Sequence, residues 1–278
     1  MGSLEALATY WFSPPALAVL SAFGVMGLAT GIRFRIARAT PERIRTLRVA
    51  AWLIVAFWTF LAASLLLCFL LADPVEYGVA TAKAITILSI ALAVGLATMV
   101  STAISRGVPV IASRTGGQTS TAGIGPVQAR VSRLARRLGL PSVHVRLVAG
   151  PPIAHTEPPN TLVVSDQLVG LLGEAELEAV LLHELNHLEA GDGAEKAFLG
   201  ALRRILFFDP FLRIVNRASS REREFRADQR TAERMEGGAA LASALTALVP
   251  YAGATRVAGH PRIEDRVTRL LGEGRPRT

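Results

Sequence analysis

Three uncharged apolar stretches dominate the first third of the chain: Ser13 to Ile32, Val49 to Ala72 and Ala84 to Ser105, of 20, 24 and 22 residues. Each is long enough to cross a hydrocarbon core as a helix, so three membrane helices are expected. A secretory signal peptide is the rival reading of the first stretch. It is disfavoured because the residues before it carry Glu5 and no Lys or Arg, and the apolar run is long for a signal core. Gly107 to Gly125 is rich in Gly, Ser and Thr and reads as a linker. The expected organisation is a membrane region over 1–106 (helices near 13–32, 49–72 and 84–105), a linker over 107–126 and a folded domain over 127–278.

Within that domain the apolar pattern alternates between helix and strand. Val127, Val131, Leu134 and Leu138 predict an amphipathic helix stopped by Gly139 and Pro141, with a basic opposite face suited either to anionic lipid or to simple packing. Val143, Val145 and Leu147 alternate with His144 and Arg146, a half-buried strand, and Thr161 to Ser165 predicts a short apolar strand. Leu162 to Ser165 reads either as a core strand or as an edge, the candidate for holding an extended chain by main-chain hydrogen bonds. Leu177, Val180, Leu181, Leu185 and Leu188 then mark a helix with Glu174, Glu176 and Glu178 near its start and Gly191 at its stop. The following apolar run, residues 198–215, is interrupted by Arg203, Arg204, Asp209 and Pro210. It predicts an amphipathic helix on the membrane or a re-entrant dip, with Leu199, Leu202, Leu206 and Phe207 on the greasy side. Ser219 to Glu236 predicts another helix, opened by a Ser219-x-x-Glu222 capping box and closed by Gly237-Gly238.

Composition agrees with this division: 51% hydrophobic and 19% charged residues are more apolar than an ordinary soluble chain. The net charge of +8 is distributed as a topology signal. Arg33 to Arg48 carries six arginines against Glu42, Asp73 to Lys83 carries two acids and one lysine, and arginines return after the third stretch. Since Lys- and Arg-rich short loops stay cytoplasmic, the N-terminus is expected outside and the folded domain in the cytoplasm. No aromatic-interleaved basic strand accompanies the charge, so the lipid bilayer is an expected partner and nucleic acid is not. Cys68, the only cysteine, falls in the second stretch and excludes both a disulfide and thiolate metal ligation within one chain.

Histidine and carboxylate therefore carry any metal chemistry. His183-Glu184-Leu185-Asn186-His187 places two imidazoles four residues apart, about 40° round a helix and ~6 Å along it, where both reach one ion. Zinc is the metal such a pair takes, and Glu184 is placed to accept a proton from a water the metal activates. A surface helix with two solvated histidines is the bland alternative, and the apolar flanks argue against it. For a third ligand the downstream helix offers Glu222 and Glu224. Glu224 shares a face with Asp228 at a spacing of four, giving a ligand and a supporting carboxylate together. His144 and His155 each stand alone and are read as non-ligands.

HELNHLEAGD followed by REREFRADQRTA resembles the membrane-embedded gluzincin peptidases over about Val143 to Leu271. The resemblance implies a mainly α chain whose α+β peptidase domain binds one zinc ion through His183, His187 and Glu224. Glu184 would be general base and acid, and Asp228 would orient a ligand. Two branches are close. His260-Pro261 with Arg266 resembles the H-P…R element of the HtpX and CAAX prenyl protease group, which implies that His260 and Arg266 support the transition state. That group's Asn-Ala pair is absent, the matching place reading Pro152-Ile153-Ala154. Three spans before the zinc domain resemble the BlaR-type antirepressor peptidases better. The first branch is preferred, implying a zinc metalloendopeptidase with a peptide or protein substrate drawn from membrane or cytoplasmic proteins, as in membrane-protein quality control. The alternative is a signalling peptidase that cleaves or binds a cytoplasmic regulator. The segments expected outside are too short for a folded sensor domain. A structural zinc protein is disfavoured, because such a site needs no base beside its ligands.

Overall fold

The computed structural model describes residues 8–37, 40–70, 79–105, 124–157, 160–251 and 261–272. It is mainly helical with one small sheet, and it divides into two compact units: Met1–Arg106 with Asp209–Val215, and Gly107–Phe208 with Asn216–Thr278.

The first unit holds α1 (Pro14–Ile36), α2 (Thr40–Leu70) and α3 (Val79–Ser105), each long and apolar enough to cross a membrane. All three outrun their apolar stretches at one end. The arginine-rich segment expected as a loop is helical as far as Ile36 and again from Thr40, because arginine is a good helix former and Pro41 with Glu42 suits a first turn. Lipid gives apolar helices no hydrophobic reason to associate, so close packing must hold them. α3 accordingly buries small residues, Ala82, Ser89, Ala93 and Ala97, and packs against α2. The buried hydroxyls of Ser64 and Thr86 donate to carbonyls one turn back, at 2.8 Å each, so neither is left unsatisfied. Asp209 belongs to this unit: its Oδ2 accepts from Trp58 Nε1 at 2.6 Å and its Oδ1 from the Leu212 amide at 2.9 Å.

The second unit is built on α4 (Ile124–Arg137), β1 (His144–Val148), β2 (Ala154–Glu157), β3 (Thr161–Ser165), α5 (Asp166–Leu171), α6 (Glu174–Glu189) and α7 (Asp192–Ile205). α8 (Pro210–Arg234), which belongs to this unit from Asn216 on, α9 (Ala239–Leu248) and α10 (Ile263–Gly272) follow. The sheet order is β1-β3-β2, with β1 parallel to β3 and β2 antiparallel to it. The apolar run Leu162 to Val164 is buried on both faces, as a central strand requires. This overturns the reading of Leu162 to Ser165 as an edge: β3 has its hydrogen bonds taken on both sides, and β2 is an outer strand. The far edge of β1 is covered by Gln128 of α4, which donates to the Val143 carbonyl at 2.9 Å and accepts from the Val145 amide at 2.8 Å.

The core gathers Val131, Leu162, Leu168, Leu181, Leu185 and Leu270, with α6 packed against β2, α4 and α9. Gly238 starts α9 where a Cβ would lie 2.6 Å from the Leu270 carbonyl oxygen, so only glycine allows α10 its approach.

Two expected helices are corrected. Residues 198–215 are not one amphipathic helix, since α7 stops at Ile205 and α8 starts at Pro210. Leu199 is 2% exposed whereas Phe207 is 66% exposed, so the four residues assigned to one greasy side do not share a surroundings. The break is caused by Asp209 capping α8 with Pro210 at its first position, where the missing N–H costs nothing. The Ser219-x-x-Glu222 capping box does not form, because Ser219 and Glu222 are buried inside α8, where the amides are engaged within the helix.

Candidate metal centre

α6 turns one face, His183, Asn186 and His187, towards α8. Along that face Asn186 Nδ2 donates to the buried Thr231 hydroxyl at 2.9 Å. Beyond it Arg230 and Arg234 of α8 pair with Glu189 at 3.1 and 2.9 Å. These contacts fix how far α8 slides along α6, and so bring Glu224 level with the two histidines.

His183 Nε2 lies 3.2 Å from His187 Nε2 and 3.5 Å from Glu224 Oε2, and His187 Nε2 lies 3.6 Å from Glu224 Oε1. Ligands about 2.0–2.1 Å from a tetrahedral zinc are about 3.3 Å apart, so these separations match the edges of a zinc tetrahedron. Among the described residues these three form the one cluster of His, Cys, Asp or Glu able to hold an ion. Two imidazoles and a carboxylate are also a donor set that zinc prefers. His144 and His155 stand outside the cluster, on β1 and β2. Glu184, one residue beyond buried His183, remains partly accessible, and its charge acts on Arg266.

The supporting groups are as ordered as the candidate ligands. Asp228 Oδ1 lies 3.0 Å from His183 Nδ1. Arg266, brought in by α10, donates from Nε and Nη2 to the two Asp228 oxygens at 2.8 and 2.6 Å, and its Nη1 lies 3.2 Å from Glu224 Oε2. On the other side Asp192 Oδ2 lies 2.7 Å from His187 Nδ1, and Asp192 Oδ1 accepts from Arg226. Asp192 and Arg226 were not singled out from the sequence. The signal for Asp192 was its place just after Gly191, whose φ of +69° is a left-handed turn that folds the chain back on α6. His260 lies outside the described residues, and so do residues 106–123, most of the expected linker.

Burial would raise the Glu224 carboxyl, but His183, Arg266 and His187 outweigh it and hold it well below the usual carboxylate range. Asp228 is likewise lowered, burial being overcome by Arg266 and His183. Burial lowers the His183 imidazole, yet Asp228 and Glu224 prevail over it and over Arg266, pushing it up to about 9. Burial would also lower Arg266, but Asp228, Glu224 and Glu184 reverse the shift and keep it protonated. A carboxylate kept ionised beside two imidazoles is a donor set suited to a cation.

The family model described as BlaR1 peptidase M56 matches residues 78–241, more than half of the chain. The matched segment takes in α3, the sheet, both histidines, Glu224 and Asp228, and stops before α10. No curated protein and no solved structure matches the chain.

Proposed function

The chain belongs to the BlaR1 peptidase M56 family and is a membrane-associated metallopeptidase; on that premise we propose a zinc endopeptidase that hydrolyses peptide bonds of membrane or cytoplasmic proteins. The observation that carries the reading is the His183, His187 and Glu224 triangle with sides of 3.2 to 3.6 Å. The chemistry supplied by a bound zinc ion is polarisation of the scissile carbonyl and a lowered pKa for the attacking water. Glu184 accepts the proton of that water at its carboxylate and returns it to the leaving amine. Asp228 Oδ1, 3.0 Å from His183 Nδ1, stands on the side of the ring away from the other candidate ligands and would leave Nε2 for an ion. β2, the outer strand beside α6, offers main-chain groups to an extended substrate. Arg266 is committed to Asp228 and Glu224, which supports a role in fixing those carboxylates ahead of direct contact with the transition state.

The arginine distribution supports an external N-terminus and a cytoplasmic peptidase domain, hence a cytoplasmic substrate pool. The family match falls on the second of the two branches named from the sequence, and it favours a second reading beside general proteolysis: cleavage or binding of a cytoplasmic regulator. The test is a cleavage assay with the purified full-length protein on an unfolded membrane protein and on soluble polypeptides. Cleavage lost on chelation and restored by zinc supports the proposal. Zinc-loaded protein that cuts none of them overturns it. A single cut in one soluble polypeptide would favour the regulator reading over quality control.

A further inference from the structure

His183 and His187 are flanked on opposite sides by carboxylates that arginines grip, and of the two Nδ1 atoms it is that of His187 that is hydrogen-bonded. Arg266 grips Asp228, and Asp228 faces Nδ1 of His183. Arg226 grips Asp192, and Asp192 faces Nδ1 of His187 at 2.7 Å. The second of these chains is not implied by the E-x-x-x-D pattern, because Asp192 precedes it in sequence and sits on another helix. We propose that Asp192, clamped by Arg226, is the positioning carboxylate for His187, so that the ring orientation and tautomer of this ligand histidine are set independently of His183. The proposal rests on the zinc reading of the site.

The geometry supports this in three ways. First, a carboxylate at Nδ1 requires that nitrogen to carry the proton, which leaves the Nε2 lone pair free; Nε2 is the atom lying 3.2 Å from His183 Nε2 and 3.6 Å from Glu224 Oε1. Second, Asp192 is 6% exposed, and a charge so far out of water persists only if it is paired. His187 takes one oxygen and Arg226 the other, so neither oxygen is left to wander towards the ion. Third, the backbone delivers Asp192 to this place by a specific device. α6 ends at Glu189, Gly191 adopts its left-handed conformation, and α7 begins at Asp192 itself, which returns the carboxylate to the histidine five residues earlier. Arg226 stands on α8 between Glu224 and Asp228, so one helix supplies a ligand and the partners of both histidines: Asp228 directly and Asp192 through Arg226.

An ordinary structural ion pair at the start of α7 makes different predictions. It would lower stability on removal and leave the metal's surroundings alone. The test is therefore zinc affinity, measured on the full-length solubilised protein by competition with a chromophoric chelator, together with the visible spectrum of the cobalt-substituted protein. Asp192→Ala should weaken zinc about 10–100-fold, as loss of an outer carboxylate does. Asp192→Asn keeps an oxygen for Nδ1 but not the charge, and should give an intermediate affinity and a shifted cobalt spectrum. Arg226→Ala should weaken zinc less, and adding it to Asp192→Ala should bring little further loss, since the two act as one unit. If Asp192→Asn, which preserves shape and folding best, binds zinc with unchanged affinity and gives an unchanged cobalt spectrum, the inference is overturned while the zinc reading stands. Failure of the unsubstituted protein to bind zinc would overturn both.

Discussion

Arg266 closes on Asp228 through two parallel hydrogen bonds, Nε to Oδ2 at 2.8 Å and Nη2 to Oδ1 at 2.6 Å. That fork needs the planar guanidinium, because lysine offers a single point charge and cannot span both oxygens. Arg266→Ala strips both guanidinium hydrogen bonds from the buried Asp228 carboxylate, leaving it His183 as a neighbour, and should destabilise the metal-free protein by up to about 3–5 kcal/mol. Arg266→Lys should recover part of the loss. Chemical unfolding of both variants measures this, and a lysine variant as stable as the parent would show that charge alone suffices.

Glu184→Gln should retain bound zinc, since the candidate ligands His183, His187 and Glu224 are intact, while the turnover rate falls by about 10²–10⁴-fold, the worth of general acid and base catalysis. Metal analysis beside a turnover assay separates the two effects. Loss of zinc from this variant would make Glu184 a ligand.

Glu224 and Glu222 should respond differently, for a reason the buried position of Glu222 supplies. Glu224→Ala removes one corner of the candidate ligand triangle and should abolish both zinc binding and hydrolysis. Glu222 is fully buried within α8, at 0% exposure, and lies outside the cluster of candidate ligands, so Glu222→Ala should keep zinc and act on folding stability alone. Zinc content and melting temperature of the two purified variants decide it.

The start of α6 should be acid-sensitive. Glu176 accepts hydrogen bonds from the Ser243 hydroxyl and the Gly173 amide, which hold its carboxyl below the usual carboxylate range. A carboxyl lowered by folding contributes stability that is complete above its unfolded value and is lost as pH falls through its folded one. Glu176→Gln should therefore melt below the parent at neutral pH, with the gap closing as the pH falls through the lowered range in which the folded carboxyl takes up its proton. A gap independent of pH would mean that the charge of Glu176 contributes nothing.

The sequence by itself determined whatever depends on residues close together in the chain. Three uncharged runs are each long enough to span a bilayer, and all three are apolar helices of spanning length. The periodicity of Leu177 to Leu188 located α6, and the spacing of four put His183 beside His187 and Glu224 on one face with Asp228, because helical geometry is local. Local signals also misled where two competed. Asp209-Pro210 and Ser219-x-x-Glu222 are both helix-start patterns, and only burial and the Trp58 hydrogen bond to Asp209 mark the first as the true one. Strand order was equally hidden, since the apolar run of β3 fits an outer strand or a central one until β1 and β2 flank it. What only the tertiary structure decided is the convergence on the two histidines. Asp192 arrives through a left-handed glycine, Arg226 from α8, and Arg266 from a helix 38 residues beyond Asp228 whose approach depends on the bare backbone of Gly238. Periodicity along a chain states which side a residue faces. Which distant charge meets it there is settled by packing.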